Sequence, residues 1–346
     1  MWLSGNIIKF FLVLLSSYFK KPLTGPISVA VTVTWLCNSR CIMCDYPERA
    51  DITQEFTTKE IEKIIDELKA IRTTGVTFFG GEPLLRGDIF HLIQYASKSG
   101  LMTQMPTNGI LLSDKSMAEK LVRSGIDEIT VSLDSSTKED YRKIRNIDGF
   151  DKAIEGIKNL VELRKNVKYP SDISIISTIT ENNVDDIPNI LRLAESLGVE
   201  GISIFPAQPV ETLPNQIGEA YKKKLKNTLN YLITEKKRGN KIIDDSLGYL
   251  NYALMRLDNK IERIKCFAPY TDLHIDCFGN VFPCVSFLGL NKPFSNIRGK
   301  SLKEVWFSKE TQQYRNSVER CGACEYMCQI ESSLPFNKFC KSPSFL

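Results

Sequence analysis

Three cysteines stand on one short stretch, Cys37-Asn38-Ser39-Arg40-Cys41-Ile42-Met43-Cys44, directly after a β-branched run that ends at Trp35. A C-x3-C-x2-C loop of this kind reads as a metal site, because soft thiolates select iron-sulfur clusters or zinc over oxygen-loving cations. Structural zinc and a fully ligated cubane each take four protein ligands, whereas three leave one coordination position for something other than protein. Zinc folds usually pair two C-x2-C units, and the next cysteine after Cys44 is Cys266. Cysteines serving only as small hydrophobes would not gather on a polar Asn-Ser-Arg loop. The spacing therefore points to an iron-sulfur cluster with an iron open to substrate or cofactor.

A second marker, Gly80-Gly81-Glu82-Pro83, closes the next strand-like segment. Together the cysteine loop and this GGEP motif resemble the radical S-adenosylmethionine superfamily. The resemblance implies a [4Fe-4S] cluster on Cys37, Cys41 and Cys44 as the catalytic centre. Its free iron would chelate the methionine amino and carboxylate groups, and one electron would release a 5′-deoxyadenosyl radical that takes hydrogen from a substrate. By the same resemblance Gly80, Gly81, Glu82 and Pro83 set backbone and a carboxylate against the methionine amino group. Thr107 and Asn108 would lie near methionine and ribose, Ser132 and Asp134 would pair the ribose hydroxyls, and Arg145 would bind the cofactor carboxylate. Two positions depart from the family pattern: Asn146 follows the arginine where glycine is common, and Met43 stands where an aromatic often precedes the third cysteine.

Seven more cysteines, at 266, 277, 284, 321, 324, 328 and 340, fill the last quarter of the chain. That density, in a stretch with few apolar residues, reads as metal-stapled folding. The run from Cys266 through Gly279-Asn280-Val281-Phe282-Pro283-Cys284, with Cys321-Gly322-Ala323-Cys324 after it, resembles the SPASM and Twitch auxiliary-cluster domains. That resemblance implies at least one auxiliary [4Fe-4S] cluster on Cys266, Cys284, Cys321 and Cys324, with Cys328 as a spare ligand. A second cluster, and ligand roles for Cys277 and Cys340, stay open, as does a structural zinc, since thiolates alone do not tell iron from zinc.

The elements that must present these groups follow from periodicity. Strands are expected at 27–35, 75–79, 101–106, 127–133, 172–180 and 201–205. Helices are expected at 57–70, where Thr57 and Glu60 form a capping box, and at 86–100, 113–124, 150–165, 184–197 and 216–241. Strands alternating with helices make parallel βαβ units, either doubly wound or barrel-like, and both present ligands at the carboxyl ends of the strands. Cys37, Gly80, Thr107 and Asp134 all fall there. The resemblance implies the open (β/α)6 partial TIM barrel. The expected division is an amphipathic N-terminal helix at 1–26, a radical SAM core at 27–215, a helical linker at 216–262 and a small cysteine-rich auxiliary-cluster domain at 263–346.

The chain's 346 residues are long for one domain and short for three, and a net charge of +4 calls for no nucleic-acid surface. The only histidines, His91 and His274, argue against a histidine-based hydrolase, and thiolates kept reduced for a cluster imply the cytoplasm. Near the start, Gly5, Lys9, Ser16 and Lys20 form a narrow polar strip on an otherwise apolar helix too short to span a bilayer. Two readings fit it: a helix lying in a membrane interface, giving peripheral contact, and a helix capping the core. The lysine-rich helix at 216–241 reads as a solvated basic face, with docking to an acidic lipid or peptide as its alternative. The resemblance implies a peptide substrate, since auxiliary-domain families are rich in peptide-modifying members, and a flavodoxin- or ferredoxin-like electron donor. A membrane lipid or isoprenoid substrate is the second reading. A cluster scaffold or electron carrier is the third, against which GGEP and the Ser132/Asp134 pair speak.

Overall fold

The computed structural model describes residues 7–167, 169–170, 172–207, 218–258, 260, 264–318, 324 and 327–339. Six strands form at the expected places: β1 Ser28–Thr34, β2 Gly75–Gly80, β3 Met102–Thr107, β4 Glu128–Ser132, β5 Asp172–Ile179 and β6 Gly201–Pro206. All pair in parallel with their sequence neighbours. A doubly wound sheet reverses direction at a switch point, whereas a strictly sequential order makes every crossover run the same way. The order β6-β5-β4-β3-β2-β1 has no reversal, so the core is the partial barrel.

Alternation divides the sheet into two faces. Val29, Val31, Val33, Val76, Phe78, Ile129, Val131, Ile173 and Ile175 are buried in one core with Ile61, Ile65 and Leu68 of the helix Thr58–Ala70. That helix begins where the sequence places it, with Thr57 and Glu60 satisfying each other's backbone N–H. The other face carries polar groups among apolar ones: Thr77 donates to Gln104 at 3.1 Å, Gln104 donates to Glu128 at 3.1 Å, and Thr130 meets Ser174 at 3.4 Å, with Phe79, Ile176 and Phe205 on the same side. It is the inner wall of the barrel.

The sheet continues beyond β1. β7 (Asp272–Ile275) pairs with β1 in parallel, and β8 (Asn280–Phe282) and β9 (Ser295–Asn296) follow antiparallel, giving nine strands. Gly279, at φ +89°, makes the β7–β8 turn, and Asp276 accepts the N–H groups of Phe278 and Asn280 across it. Periodicity misses these strands because each spans four residues or fewer.

The stretch expected as a helical linker is held against the sheet edge. After the helix Glu219–Lys237, Ile202 donates to the Ile242 carbonyl, Asp244 donates back to Ile202, and the Asp245 carboxylate accepts the Ile204 N–H. These contacts cover the exposed edge of β6 before the helix Leu247–Leu257. The lysine-rich helix buries Leu225, Leu229, Leu232 and Ile233 and pairs Lys224 with Asp185 and Lys226 with Asp258, as a solvated basic face would. The expected core boundary at 215 lies outside the described residues. Among the described residues no helix is long and apolar enough to cross a membrane.

On β7, Asp272 and His274 alternate with the core residues Leu273 and Ile275. Burial raises the Asp272 carboxyl to about 6, against a hydrogen bond from Thr271, and burial lowers His274 to about 4. A raised carboxyl gives stability that is lost as pH climbs from about 4 through 6; a lowered histidine gives stability that is lost as pH falls from about 6.5 towards 4. The two trends oppose each other. Asp272→Asn should therefore add at most about 3 kcal/mol in urea unfolding at pH 7, shrinking to nothing near pH 4. A stability difference that stays constant across that range would contradict the assignment.

Candidate active site

β1 ends in the cysteine loop, and the ends of its neighbours hold that loop in place. Gly81 donates to the Thr34 carbonyl and Glu82 to the Leu36 carbonyl, which brings the GGEP backbone against the start of the loop. A Cβ at Gly80, whose φ is +156°, would sit 2.2 Å from the Thr34 carbonyl oxygen; at Gly81 it would sit 2.3 Å from that of Leu36. Only glycine permits this approach. Pro83 then opens a short 3-10 turn, Pro83–Leu85.

Glu82 is fully buried. Its carboxylate accepts the Thr107 hydroxyl at 2.8 Å, the Asn108 N–H at 2.7 Å and the Leu84 N–H at 3.1 Å. Burial raises its pKa, and these donors oppose the rise. A carboxylate has about four acceptor positions, so about one is left for a further donor. The Asn108 side chain donates in turn to Asn38 at 2.6 Å, tying the end of β3 to the cysteine loop.

A second clamp comes from the helix Lys138–Arg145, which sequence periodicity does not reveal. Its charged residues bury only Tyr141, Ile144 and Arg145, too few for a stripe. Its last carbonyls, on Ile144 and Arg145, accept the N–H groups of Ile42 and Arg40 from the cysteine loop. Asn146 closes the helix at φ +51°, so asparagine fills the left-handed position for which glycine is the usual residue. Arg145 is buried; its guanidinium meets Asp134 at 2.5 Å and donates to the Cys41 sulfur at 3.8 Å. Burial opposes its charge, yet Asp134 and then Cys41 raise its pKa above the usual arginine value. Asp134 also accepts the Thr178 N–H at 2.8 Å. Ser132, one step earlier on the inner wall, is partly exposed.

The donor set fits a cluster. Cys37, Cys41 and Cys44 lie on one loop, with the Ser39 N–H donating to Cys37 at 3.4 Å and Arg145 donating to Cys41. Partial burial pushes the Cys37 and Cys41 thiols up. Such thiols stay protonated at neutral pH until metal charge draws the proton off.

The auxiliary region leans on the same loop. Arg49 stacks over Trp35 and Tyr46 and donates to the carbonyls of Leu288 and Gly289. Cys277 sits at the hairpin turn, fully buried against Trp35, Phe282 and Leu288. Burial raises its thiol pKa strongly. Cys284 follows the returning strand β8, and the Cys324 carbonyl accepts the Tyr252 hydroxyl at 3.0 Å. Cys266 precedes the short helix Ala268–Thr271. Cys321, Cys340 and the Cys328 side chain lie outside the described residues. Asn38, Arg49 and the helix before Asn146 escaped the sequence reading, because their roles arise from contacts across the fold.

A parallel partial barrel with a three-cysteine loop at its mouth defines a radical SAM enzyme. Residues 31–205 match the Radical SAM superfamily and residues 266–329 match SPASM, an iron-sulfur cluster-binding domain; the chain belongs to the radical SAM superfamily. It uses S-adenosylmethionine with a [4Fe-4S] cluster and carries at least one auxiliary cluster in its SPASM domain. It is similar to the AdoMet-dependent heme synthase of Methanosarcina barkeri, at 26% identity over 322 residues covering 87% of this chain and 89% of the relative. A heme synthase of Nitratidesulfovibrio vulgaris matches at 26% over 321 residues, 86% of this chain and 84% of the relative. In fold it is similar to Streptococcus suis SuiB, with TM-score 0.69, 22% identity, and 90% and 72% of the two chains covered. It is similar also to anSMEcpe with bound AdoMet and Cp18Cys peptide, with TM-score 0.62, 19% identity, and 88% of each chain covered.

Removing one partner of a buried ion pair leaves the other charge without compensation. Asp134→Ala should lower the unfolding free energy of the metal-free chain by about 3–5 kcal/mol in urea titration. A loss below about 1 kcal/mol, the range of an exposed pair, would mean that Arg145 is solvated.

Proposed function

We propose that the protein cleaves S-adenosylmethionine reductively at a cluster held by Cys37, Cys41 and Cys44, and takes hydrogen from a peptide segment lying along the inner wall. The observation that carries this reading is the hydrogen-bonded unit joining the cysteine loop, Glu82, Asn108, Asp134 and Arg145 at one mouth. The bound cluster and cofactor supply one-electron cleavage of the sulfonium. Glu82 offers its remaining acceptor position to the methionine amino group, with Gly80, Gly81 and Pro83 shaping the approach. Thr107 and Asn108 hold Glu82 in place, and Ser132 offers its hydroxyl to the ribose. Asp134 aims Arg145, whose charge suits the cofactor carboxylate. Cys266, Cys284, Cys321 and Cys324 are proposed as ligands of the auxiliary cluster, with Cys328 in reserve, and a flavodoxin- or ferredoxin-like protein as electron donor. The proposed division of the chain places the core at 27–215 and the auxiliary domain at 263–346, with Lys241–Asp245 belonging to the core edge.

The wall supports a peptide over a polyanion. Among the described residues its six strands turn inward hydroxyls, the Gln104 amide, the carboxylates Glu128 and Asp172 and the apolar Phe79, Met102, Pro106, Ile176 and Phe205, and no lysine or arginine. Amide and hydroxyl groups match a peptide backbone, whereas a polycarboxylate would meet acid without compensation. A second reading, a tetrapyrrole substrate, is favoured by the end-to-end match to heme synthases. The lipid reading loses its motive, because the apolar helix Ile7–Tyr18 lies at the far end of the strands from the cysteine loop: Lys9 bonds the carbonyls of Pro26 and Arg72.

Reconstituted without oxygen and given dithionite and S-adenosylmethionine, the protein should form 5′-deoxyadenosine. Replacing Cys37, Cys41 and Cys44 by Ala should abolish that product yet leave the auxiliary iron bound. Loss of all iron in that variant would refute the auxiliary assignment, and an inert wild type would refute the activity. Acceleration of product formation by a tetracarboxylate porphyrin, with none from neutral or cationic peptides, would decide for the second reading.

A further inference from the structure

The helix Ile7–Tyr18 buries its polar groups together with an apolar edge, where Val13, Phe10 and Leu14 pack on Ile27, Phe267, Tyr270 and Phe336. Its buried side carries Lys9, Ser16 and Ser17 beside Val13. Lys9 donates to the Pro26 carbonyl at 2.9 Å and to the Arg72 carbonyl; Ser16 donates to Leu12 at 2.6 Å and accepts the Leu23 N–H at 2.9 Å. Phe10 stacks on Phe336, 4.7 Å between centroids, so the helix is fastened at both edges of this side. The opposite side is apolar and exposed: Ile7 by 71%, Ile8 by 70% and Tyr18 by 77%, with Phe11 and Leu15 between them and Phe19 and Leu23 just beyond. At roughly 100° per residue these five helical positions share one arc of about 100°, and it holds no charge. An amphipathic helix on a water-facing surface has the reverse orientation. Here Lys9 and Ser16 are spent on hydrogen bonds within the protein, while the outer arc is left apolar and exposed.

Charge selects what covers it. From Met1 through Cys44 the charged residues are Lys9, Lys20, Lys21 and Arg40, and the first acid is Asp45. Lys20 and Lys21 are exposed where the arc ends, next to the aromatic pair Tyr18 and Phe19. Apolar arc, aromatic rim and cations at one edge match an anionic headgroup layer over acyl chains. A protein interface is usually rimmed by polar groups of both signs, whereas this segment, from Met1 through Cys44, brings cations and no acid. We infer that the outer face of Ile7–Tyr18, with Lys20 and Lys21, is a docking surface for an anionic lipid bilayer. Because the helix crosses the chain just before β1 and β2, docking sets the cysteine loop about one strand length, roughly 20 Å, away on the side facing water. The surface localises the enzyme and leaves its mouth open.

Full-length protein with its clusters should float with vesicles containing phosphatidylglycerol and much less with pure phosphatidylcholine. Phe11→Asp with Leu15→Asp should cut the bound fraction roughly tenfold or more, since both side chains would enter the acyl boundary. Lys20→Glu with Lys21→Glu should remove the preference for anionic lipid and make binding insensitive to salt. Both double variants alter exposed residues, so an unchanged melting temperature verifies that they fold. Wild type that stays unbound, or a Phe11/Leu15 variant that floats as well as wild type, would overturn the inference. A wild-type dimer that the same variant splits in gel filtration without lipid would assign the arc to a second copy instead, and overturn it too.

Discussion

An irregular loop carrying three thiols must have its backbone groups satisfied without a helix or a ladder of its own. Here the partners come from three separate tips. The Leu36 carbonyl accepts Glu82, and the N–H groups of Arg40 and Ile42 reach the last carbonyls of the helix Lys138–Arg145. Asn38 takes a hydrogen bond from Asn108. Two of these tips, those of β2 and β3, are fixed by parallel strand register, and the third is a helix end, so the loop inherits its rigidity from the sheet and from that helix. Loss of the Glu82 or the helix contact would leave open backbone groups beside the thiols, and loss of Asn108 would free the Asn38 side chain.

Three buried charged side chains, Glu82, Asp134 and Arg145, sit in this framework, and none is there for stability alone. A buried pair such as Asp134 and Arg145 often does no better than an apolar replacement, because desolvation cancels most of the attraction. What it provides is direction. Asp134, tied down by the Thr178 N–H, fixes the plane of the Arg145 fork, and that fork lies next to the Cys41 sulfur. Glu82 works the same way in reverse, its negative charge held by three donors from β3 and its own turn. One cation, Arg145, and two carboxylates, Asp134 and Glu82, are thereby set at fixed positions around the loop before any cofactor arrives, the condition for electrostatic preorganisation.

The strands and the long helices were legible because each buries a full face, so period two and period 3.6 are written in the sequence. The cysteine spacing and GGEP were legible because metal ligation and close backbone approach admit few residue types. The helix Lys138–Arg145 was hidden by its charge, and β7 to β9 by their shortness. The polar strip through Lys9 and Ser16 was visible, but not the side it would face. Period gives the arc of a helix, while the direction is settled by which carbonyls stand ready to accept an ammonium, here those of Pro26 and Arg72.

The reach of the sheet past β1 bears on how the auxiliary region relates to the active site. β7 pairs with β1 over Ser28 to Val31, so the strand that delivers the cysteine loop also carries the auxiliary hairpin on its free edge. A linker could not hold the cysteine loop in register with Cys277 and Cys284; a shared ladder does, since sliding either strand would break the β1–β7 hydrogen bonds. Cys277 belongs to this joint. Fully buried against Trp35 at the turn end of the hairpin, it fills space between the loop and the hairpin, while Cys284 leaves from the opposite end of β8. Its burial and its raised pKa suit an apolar thiol in a wall, and Arg49, bridging Trp35 and the Leu288 carbonyl, closes that wall from outside. The two cysteine regions are therefore parts of one sheet, and a shift at either is felt through β1.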